Sequence, residues 1–501
     1  MLAALPIVLV LALMIGLRWS AARAGIFGLA LALLLAWNVY GLGRHTLPGL
    51  GPAGAAVGAL AEALFTALTI LWIVFPALCI HELQSRTGAL DVLRAAMGRI
   101  SGDPRILALL VAWFFVLFIE GAAGFGTPVA LAAPFLVGAG FGRVTAVSIA
   151  LIGHAVGVSF GAVGTPIIPQ AAASGLAPQA IAAETATYHA LLGWMMPLIV
   201  MFLAARTLPG GVREKPLWGW ALTAALCFLL PYTLLAFLVG PELPTLGGAL
   251  LGAALFIGLQ RLFAGRGRQA GDAADAAALA RAAAPYLVLI ALVLATRLVP
   301  PLQQSLRAVE LTWRHADFGG SMQILYHPGT LLLASFALGA FWQRATAAQV
   351  GAALAAVAQR LMPVTLALVA MLGLSRVMVH AGMIDALAVA AAGAAAGSWP
   401  LFAPAIGALG TFVTGSATAS NILFTEFQVA TAQHLGLPVL PLVGAQGFGA
   451  AVGNIICPHN VIAAGATVHL VGREGEVLRR TFVPALVYVS AGGALAMWLF
   501  R

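Results

Sequence analysis

Apolar runs of membrane length follow one another along almost the whole chain, separated by short polar stretches. A helix needs about 20 mostly apolar residues to cross a bilayer. The runs that approach this length are 2–17, 25–43, 61–80, 106–120, 143–162, 187–205, 217–239, 246–263, 284–300, 328–343, 350–372, 380–396, 401–414, 438–452, 455–471 and 482–500. Several are short or broken by glycine, so about 12–14 full crossings are expected from that length rule. In hydrocarbon every backbone N–H and C=O must be satisfied within the segment, which favours helices. The expected fold is therefore an all-α polytopic membrane protein.

Composition strengthens this picture. Of 501 residues, 62% are hydrophobic and 8% are charged, against about 25% charged in soluble domains. The formal net charge of +9 sits in short loops, so it reads as the positive-inside bias rather than as a nucleic-acid surface. Arg18 and Arg23 follow the first apolar run rather than precede it, unlike the charge order of a secretory signal. That run is expected to be a first transmembrane helix with its N-terminus outside. Arg86, Arg94, Arg99 and Arg105 form one cytoplasmic cluster, and Arg206, Arg213 and Lys215 another. Residues 261–283, with Arg261, Arg266, Arg268, Asp272, Asp275 and Arg281, read as a cytoplasmic linker between an N-terminal half, 1–260, and a C-terminal half, 284–501. Residues 301–327 are placed outside. Cys79, Cys227 and Cys457 show no CxxC spacing, so neither a disulfide framework nor a zinc site is expected.

Two glycine-rich segments interrupt the apolar pattern. Phe118-Ile119-Glu120-Gly121-Ala122-Ala123 continues into Gly124-Phe125-Gly126-Thr127-Pro128, and Phe412-Val413-Thr414-Gly415-Ser416-Ala417 continues into Thr418-Ala419-Ser420-Asn421. Both fit Phe-x-x-Gly-[Ala/Ser]-Ala. About 40 residues after each lies a second shared frame, Gly-[Thr/Asn]-x-Ile-x-Pro-[Gln/His], at Gly164–Gln170 and Gly453–His459. Glycine and small polar residues release backbone from the helix ladder, and lipid tolerates free backbone only where protein or a water-filled cavity covers it. Paired interruptions in corresponding positions point to a transporter binding site, where half-helix N-termini face an anion. The competing reading is that the glycines merely allow close helix packing.

The segment Glu120–Pro128 resembles the glycine-rich signature of the bacterial lactate permease family. Gly415–Asn421 is similar to that family's second signature, and Cys457-Pro458-His459 and Val471-Gly472-Arg473-Glu474 also fit. The resemblance spans nearly the whole chain. It implies proton-coupled uptake of L-lactate, D-lactate or glycolate across the inner membrane, and a fold of two inverted repeats with glycine-rich re-entrant or broken helices. Ala417 stands where the family usually carries an acid, and Ala123 and Ala419 where serine is usual, which leaves room for another coupling ion or another small carboxylate.

Ionisable residues inside membrane segments are functional candidates. Glu120, between an apolar run and a glycine turn, is the first candidate for proton coupling, with capping of the hairpin backbone as its structural alternative. His154, inside 146–163, and His459, at a repeat-matched position, are further candidates. Arg376 could hold a carboxylate bidentately or snorkel to the interface, with Asp385 as an ion-pair partner. Gly121, Gly124, Gly126, Thr127, Thr165, Gly415, Ser416, Thr418, Ser420, Asn421 and Asn454 complete the expected substrate site, because neutral donors suit an anion that must leave again. No cofactor or metal fingerprint and no catalytic motif is found, so an embedded enzyme is a remote alternative. The expected partners are a small carboxylate, a proton and the lipid bilayer, with a homo-oligomer left open. A sodium-coupled transporter of another carboxylate is the second reading.

Overall fold

Small residues decide how closely the longest helices approach. In the computed structural model, which describes residues 2–17, 19–98, 100–124, 126–208, 213–263, 276–470 and 473–499, Ala55, Ala59, Ala63 and Ala67 are fully buried along one stripe of the helix Gly51–Arg86. Residues four apart share a helix face, and a stripe of alanines lets a neighbouring backbone come close. That neighbour is Ala347–His380. Glu62 pairs with His380, and Glu82 pairs with Arg360. The two ion pairs are 20 residues apart along each helix and in opposite sense, so the helices run antiparallel. At 1.5 Å per residue they lie about 30 Å apart, the thickness of the hydrocarbon.

Eleven helices among the described residues are long and apolar enough to cross a membrane, and twelve if the bent pair Pro178–Leu192 and Met195–Arg206 counts as one span. Twelve is the lower edge of the expected number. The difference has identifiable causes. The helix Leu5–Gly16 spans 12 residues and Pro328–Trp342 spans 15, both short of a full crossing. The pair around Gly193 bends by 42°. Met383–Ala395 and Trp399–Thr414, expected as two spans, count together as one candidate span, Met383–Thr414. Residues 301–327 also contain a two-stranded antiparallel hairpin, Leu311–His315 with Phe318–Met322, which the apolar pattern does not predict. It packs on the helix Gly51–Arg86, where Phe318 fills the space above Gly58.

The buried side chains form two large apolar cores. One gathers around Pro104–Ala122, Arg143–Phe160 and the helices between 178 and 263. The other joins the first helices to Gly51–Arg86, Ala347–His380 and Met383–Ala395. Each draws on residues from both sides of 261–283. Of that expected linker, 264–275 lie outside the described residues, with Arg266, Arg268, Asp272 and Asp275, as do Arg18, Arg99, Phe125, Val471 and Gly472.

Candidate functional site

Each glycine-rich frame produces a break between helices. The first signature ends the helix segment Val116–Ala122, and Gly124 and Gly126 take φ values of 56° and 79° before Thr127–Gly138 begins. L-residues with side chains rarely adopt this region, so the two glycines make the tight reversal accessible. Upstream, residues Leu110–Phe115 are wound as a π-helix, a feature frequent near functional sites. In the second signature Gly415 has φ 78°, and the Ser416 hydroxyl then caps the helix Ala417–Leu435 by accepting the Ala419 N–H at 3.3 Å.

The second frames break as well, in different ways. Ala162 and Val163 both sit in left-handed backbone, at φ 43° and 56°, ahead of Gly164, and the helix Ile167–Ser174 follows. Non-glycine residues held there store strain, which persists when the surroundings over-determine it. At the matching position Val439–Gly453 ends in a turn, and Pro458 opens the helix Pro458–Thr467. The chain therefore re-enters a helix two residues later in the second frame than in the first.

These four breaks meet in a closed ring. A methyl group on Gly124 would lie 3.2 Å from the Ala162 nitrogen, and one on Gly126 would lie 3.3 Å from Asn460 Oδ1. One on Gly415 would lie 3.2 Å from His459 Cβ. Asn421 Nδ2 donates to the Pro166 carbonyl at 2.9 Å, closing the circle. Each signature helix thus rests on the second-frame helix from the other end of the chain: Thr127–Gly138 on Pro458–Thr467, and Ala417–Leu435 on Ile167–Ser174. Four helix N-termini, with their positive dipole ends and free N–H groups, share one neighbourhood.

Glu120 lies against this ring. It is 6% exposed, and a methyl group on Gly161 would fall 2.2 Å from its Oε1. The carboxyl fills the space that Gly161 leaves. No hydrogen bond or ion pair to Glu120 is found among the described residues. His154 is buried, with Nδ1 2.8 Å from the Leu151 carbonyl oxygen, and it also hydrogen-bonds the Asn454 side chain. The Asn460 amide donates to Asn454 Oδ1. His154, Asn454, Asn460 and Gly126 therefore form a continuous path, while His459 is exposed beside Gly415.

Several expected polar groups are already engaged. Thr127 Oγ1 donates to the Gly124 carbonyl at 2.8 Å, Thr165 Oγ1 to that of Ala162 at 2.5 Å, and Ser420 Oγ to that of Gly407 at 2.7 Å. They hold the breaks in shape, and Thr418 is buried in the first turn of its helix. Gly121 packs against the Leu246 backbone rather than facing the ring. Arg376 is not brought to the ring. It forms an ion pair with Glu426, while Asp385 lies 3.8 Å from His434. Sequence reasoning missed Asn460, Gln446, Glu62 and Glu426. Gln446 donates to Ser420 Oγ at 3.3 Å and to Asn421 Oδ1 at 3.4 Å. Asn460 had a signal available, because it directly follows the Pro-His of the second frame.

Comparison with known proteins agrees with this architecture. The family model described as L-lactate permease matches residues 1–500. An L-lactate permease of Streptococcus iniae is 32% identical over 380 residues, covering 74% of this chain and 78% of its own. A glycolate permease of Escherichia coli (strain K12) is 28% identical over 479 residues, covering 85% and 84%. Among solved structures, the YdaH transporter of Alcanivorax borkumensis superposes with a TM-score of 0.56 at 17% identity, covering 96% of this chain and 98% of its own, a likeness of fold alone. The chain belongs to the L-lactate permease family and is a multi-pass membrane transporter.

Proposed function

We propose that this member of the L-lactate permease family takes up L-lactate, and by the same site D-lactate or glycolate, by proton symport across the bacterial inner membrane. The substrate names come from the relatives, an L-lactate permease and a glycolate permease. The observation that carries the reading is the ring of four helix breaks around one unpaired carboxyl. A small carboxylate needs N–H donors and a positive field, and converging helix N-termini supply both without a fixed countercharge. Backbone donors and the neutral amides of Asn421, Asn454 and Asn460 hold an anion weakly enough to release it.

Glu120 is the proposed proton carrier, with His154 and His459 as relay candidates on either side of Asn454 and Gly415. An unpaired buried carboxylate costs several kcal/mol, a cost the neutral acid does not bear. Protonation of Glu120 beside an arriving anion also limits the negative charge gathered in the ring. Binding would be followed by movement of one repeat against the other, so that the ring opens alternately to each side. The two inverted repeats, 1–260 and 284–501, are part of this proposal.

The test is uptake of radiolabelled L-lactate into proteoliposomes in sodium-free buffer, with and without an inward proton gradient. Saturable uptake accelerated by the gradient, and uncoupled from it by Glu120→Gln, is expected. Absence of lactate uptake would overturn the substrate. Gradient-independent uptake that sodium restores would overturn the proton, in favour of a cation held by the neutral oxygens of the ring.

A further inference from the structure

A second polar cluster lies apart from the ring, and the transport reading leaves it without a role. Arg376 and His380, one turn apart on Ala347–His380, face acids from two other helices. His380 Nε2 is 2.7 Å from Glu62 Oε2 on Gly51–Arg86, and Arg376 pairs with Glu426 on Ala417–Leu435. The four side chains are between 13% and 19% exposed. Glu62 also accepts the Gly319 N–H from the hairpin at 3.2 Å, and the Phe318 ring meets the imidazole edge-on with centroids 4.8 Å apart. The charged and titratable groups facing His380 are thus Glu62, Glu426 and Arg376, under a cap of hairpin residues. Asp385, on the following helix, is turned to His434.

Charge balance gives this cluster one vacancy for a proton. Two carboxylates and one guanidinium sum to one negative charge when His380 is neutral. One further proton, shared between Glu62 and His380, brings the sum to zero, the cheaper state away from bulk water. Such a proton belongs to the pair rather than to either residue. Location gives it leverage. The cluster joins the antiparallel pair Gly51–Arg86 and Ala347–His380 to Ala417–Leu435, the helix whose first residues form one side of the ring. Glu426 lies ten residues from Ser416, about 15 Å along that helix. The cluster also lies at the opposite end of Gly51–Arg86 from the Arg86, Glu82 and Arg360 group.

We propose that Glu62 and His380 share one exchangeable proton whose presence sets the position of Ala417–Leu435 against the antiparallel pair, so that protonation at this end of the membrane is linked to the ring. With the proton bound, neutral Glu62–His380 leaves Arg376 to pair with Glu426. Without it, Glu62 competes for Arg376 and the helix is released. The link to transport rests on the symport reading above; the proton-dependent helix position does not.

Spin labels at Val57→Cys and Gln433→Cys, both exposed positions outside the cluster, report the separation of Gly51–Arg86 and Ala417–Leu435 in purified full-length protein without substrate. The buried native cysteines are shielded from the label. The labelled protein is expected to change its distance distribution with pH, and the isosteric Glu62→Gln and the neutral His380→Gln are each expected to remove that change. Persistence of the pH response in both variants, or its absence from the parent, would overturn the proposal. In proteoliposomes the same two variants are expected to lower the ratio of gradient-driven uptake to lactate–lactate exchange by about tenfold, equivalent to about 1.4 kcal/mol of lost coupling. If the parent itself ignores the proton gradient, the symport reading fails, and the distance measurement still decides the dyad.

Discussion

The ring of breaks and the ion cluster are both polar regions inside a lipid-facing protein, and they are built on opposite principles. The ring works through backbone: four helix starts, glycines and neutral amides, with one carboxyl set against Gly161. The cluster works through side chains: two acids, an arginine and a histidine from three long helices. Backbone dipoles hold an anion without a full countercharge, so the anion can leave. Ion pairs fix helices to one another and change strength by a whole unit of charge when one proton moves. A carrier that couples a substrate to an ion has use for both properties, and here they share one helix, Ala417–Leu435.

The largest expected effect tests the ring. Gly161 has φ −61° and ψ 152°, a backbone geometry that alanine adopts freely. The nearest atoms to a methyl group there would all belong to Glu120, Oε1 at 2.2 Å, Cδ at 3.2 Å and Cγ at 3.6 Å. Gly161→Ala should therefore fold and insert, yet displace that carboxyl by about 1 Å, a shift that can cost about a hundredfold at a reacting group. Initial rates of gradient-driven lactate uptake, set against the amount of inserted protein, check this. Wild-type rates would mean that the position of Glu120 is immaterial.

The cluster should respond in stability rather than in binding. Arg376→Gln leaves the largely buried Glu426 without its guanidinium partner. Breaking a buried pair costs about 3–5 kcal/mol, whereas replacing both partners by apolar residues is often neutral. Arg376→Gln should thus lower the unfolding midpoint in detergent well below that of the double replacement Arg376→Met with Glu426→Met. Equal midpoints would place this pair in an aqueous setting.

The two regions also differ in how far the sequence discloses them. Gly415 stands in a repeated frame and Gly124 and Gly126 directly follow its first copy, and a break needs residues that relax the helix ladder, so their positions are written locally. The second frames are legible for the same reason, although the strained pair Ala162 and Val163 carries no compositional sign of its geometry. Glu62 and Glu426 are isolated acids that belong to no repeated frame. Their partners lie 318 and 50 residues away, and the pairing follows from which helices pack, a tertiary fact. The hairpin Leu311–Met322 is missed because its strands are five residues each and are held by packing on Phe65 and Gly58. The bend at Gly193 and the shortness of Leu5–Gly16 likewise fall below what a length rule for apolar runs resolves.

The smallest expected effect sharpens the comparison by staying on the helix Ala347–His380. Glu82 and Arg360 form an ion pair of 3.0 Å at the far end of the antiparallel pair, and the Arg360 side chain is 62% exposed. Glu82 also has Arg86 at 2.9 Å. Water screens the exposed guanidinium, and such pairs contribute about 0–1 kcal/mol. Arg360→Gln should therefore shift the unfolding midpoint far less than Arg376→Gln, and added salt should erase what shift there is. The two substitutions share residue type and the helix that carries the arginine, while the acids come from Gly51–Arg86 and Ala417–Leu435 and the arginine side chains are 62% and 19% exposed. The difference in cost then follows the burial of the two arginines, the property that makes the Arg376 cluster able to sense a single proton. A cost at Arg360 equal to that at Arg376 would remove that distinction and, with it, the physical reason for placing the proton switch at only one end.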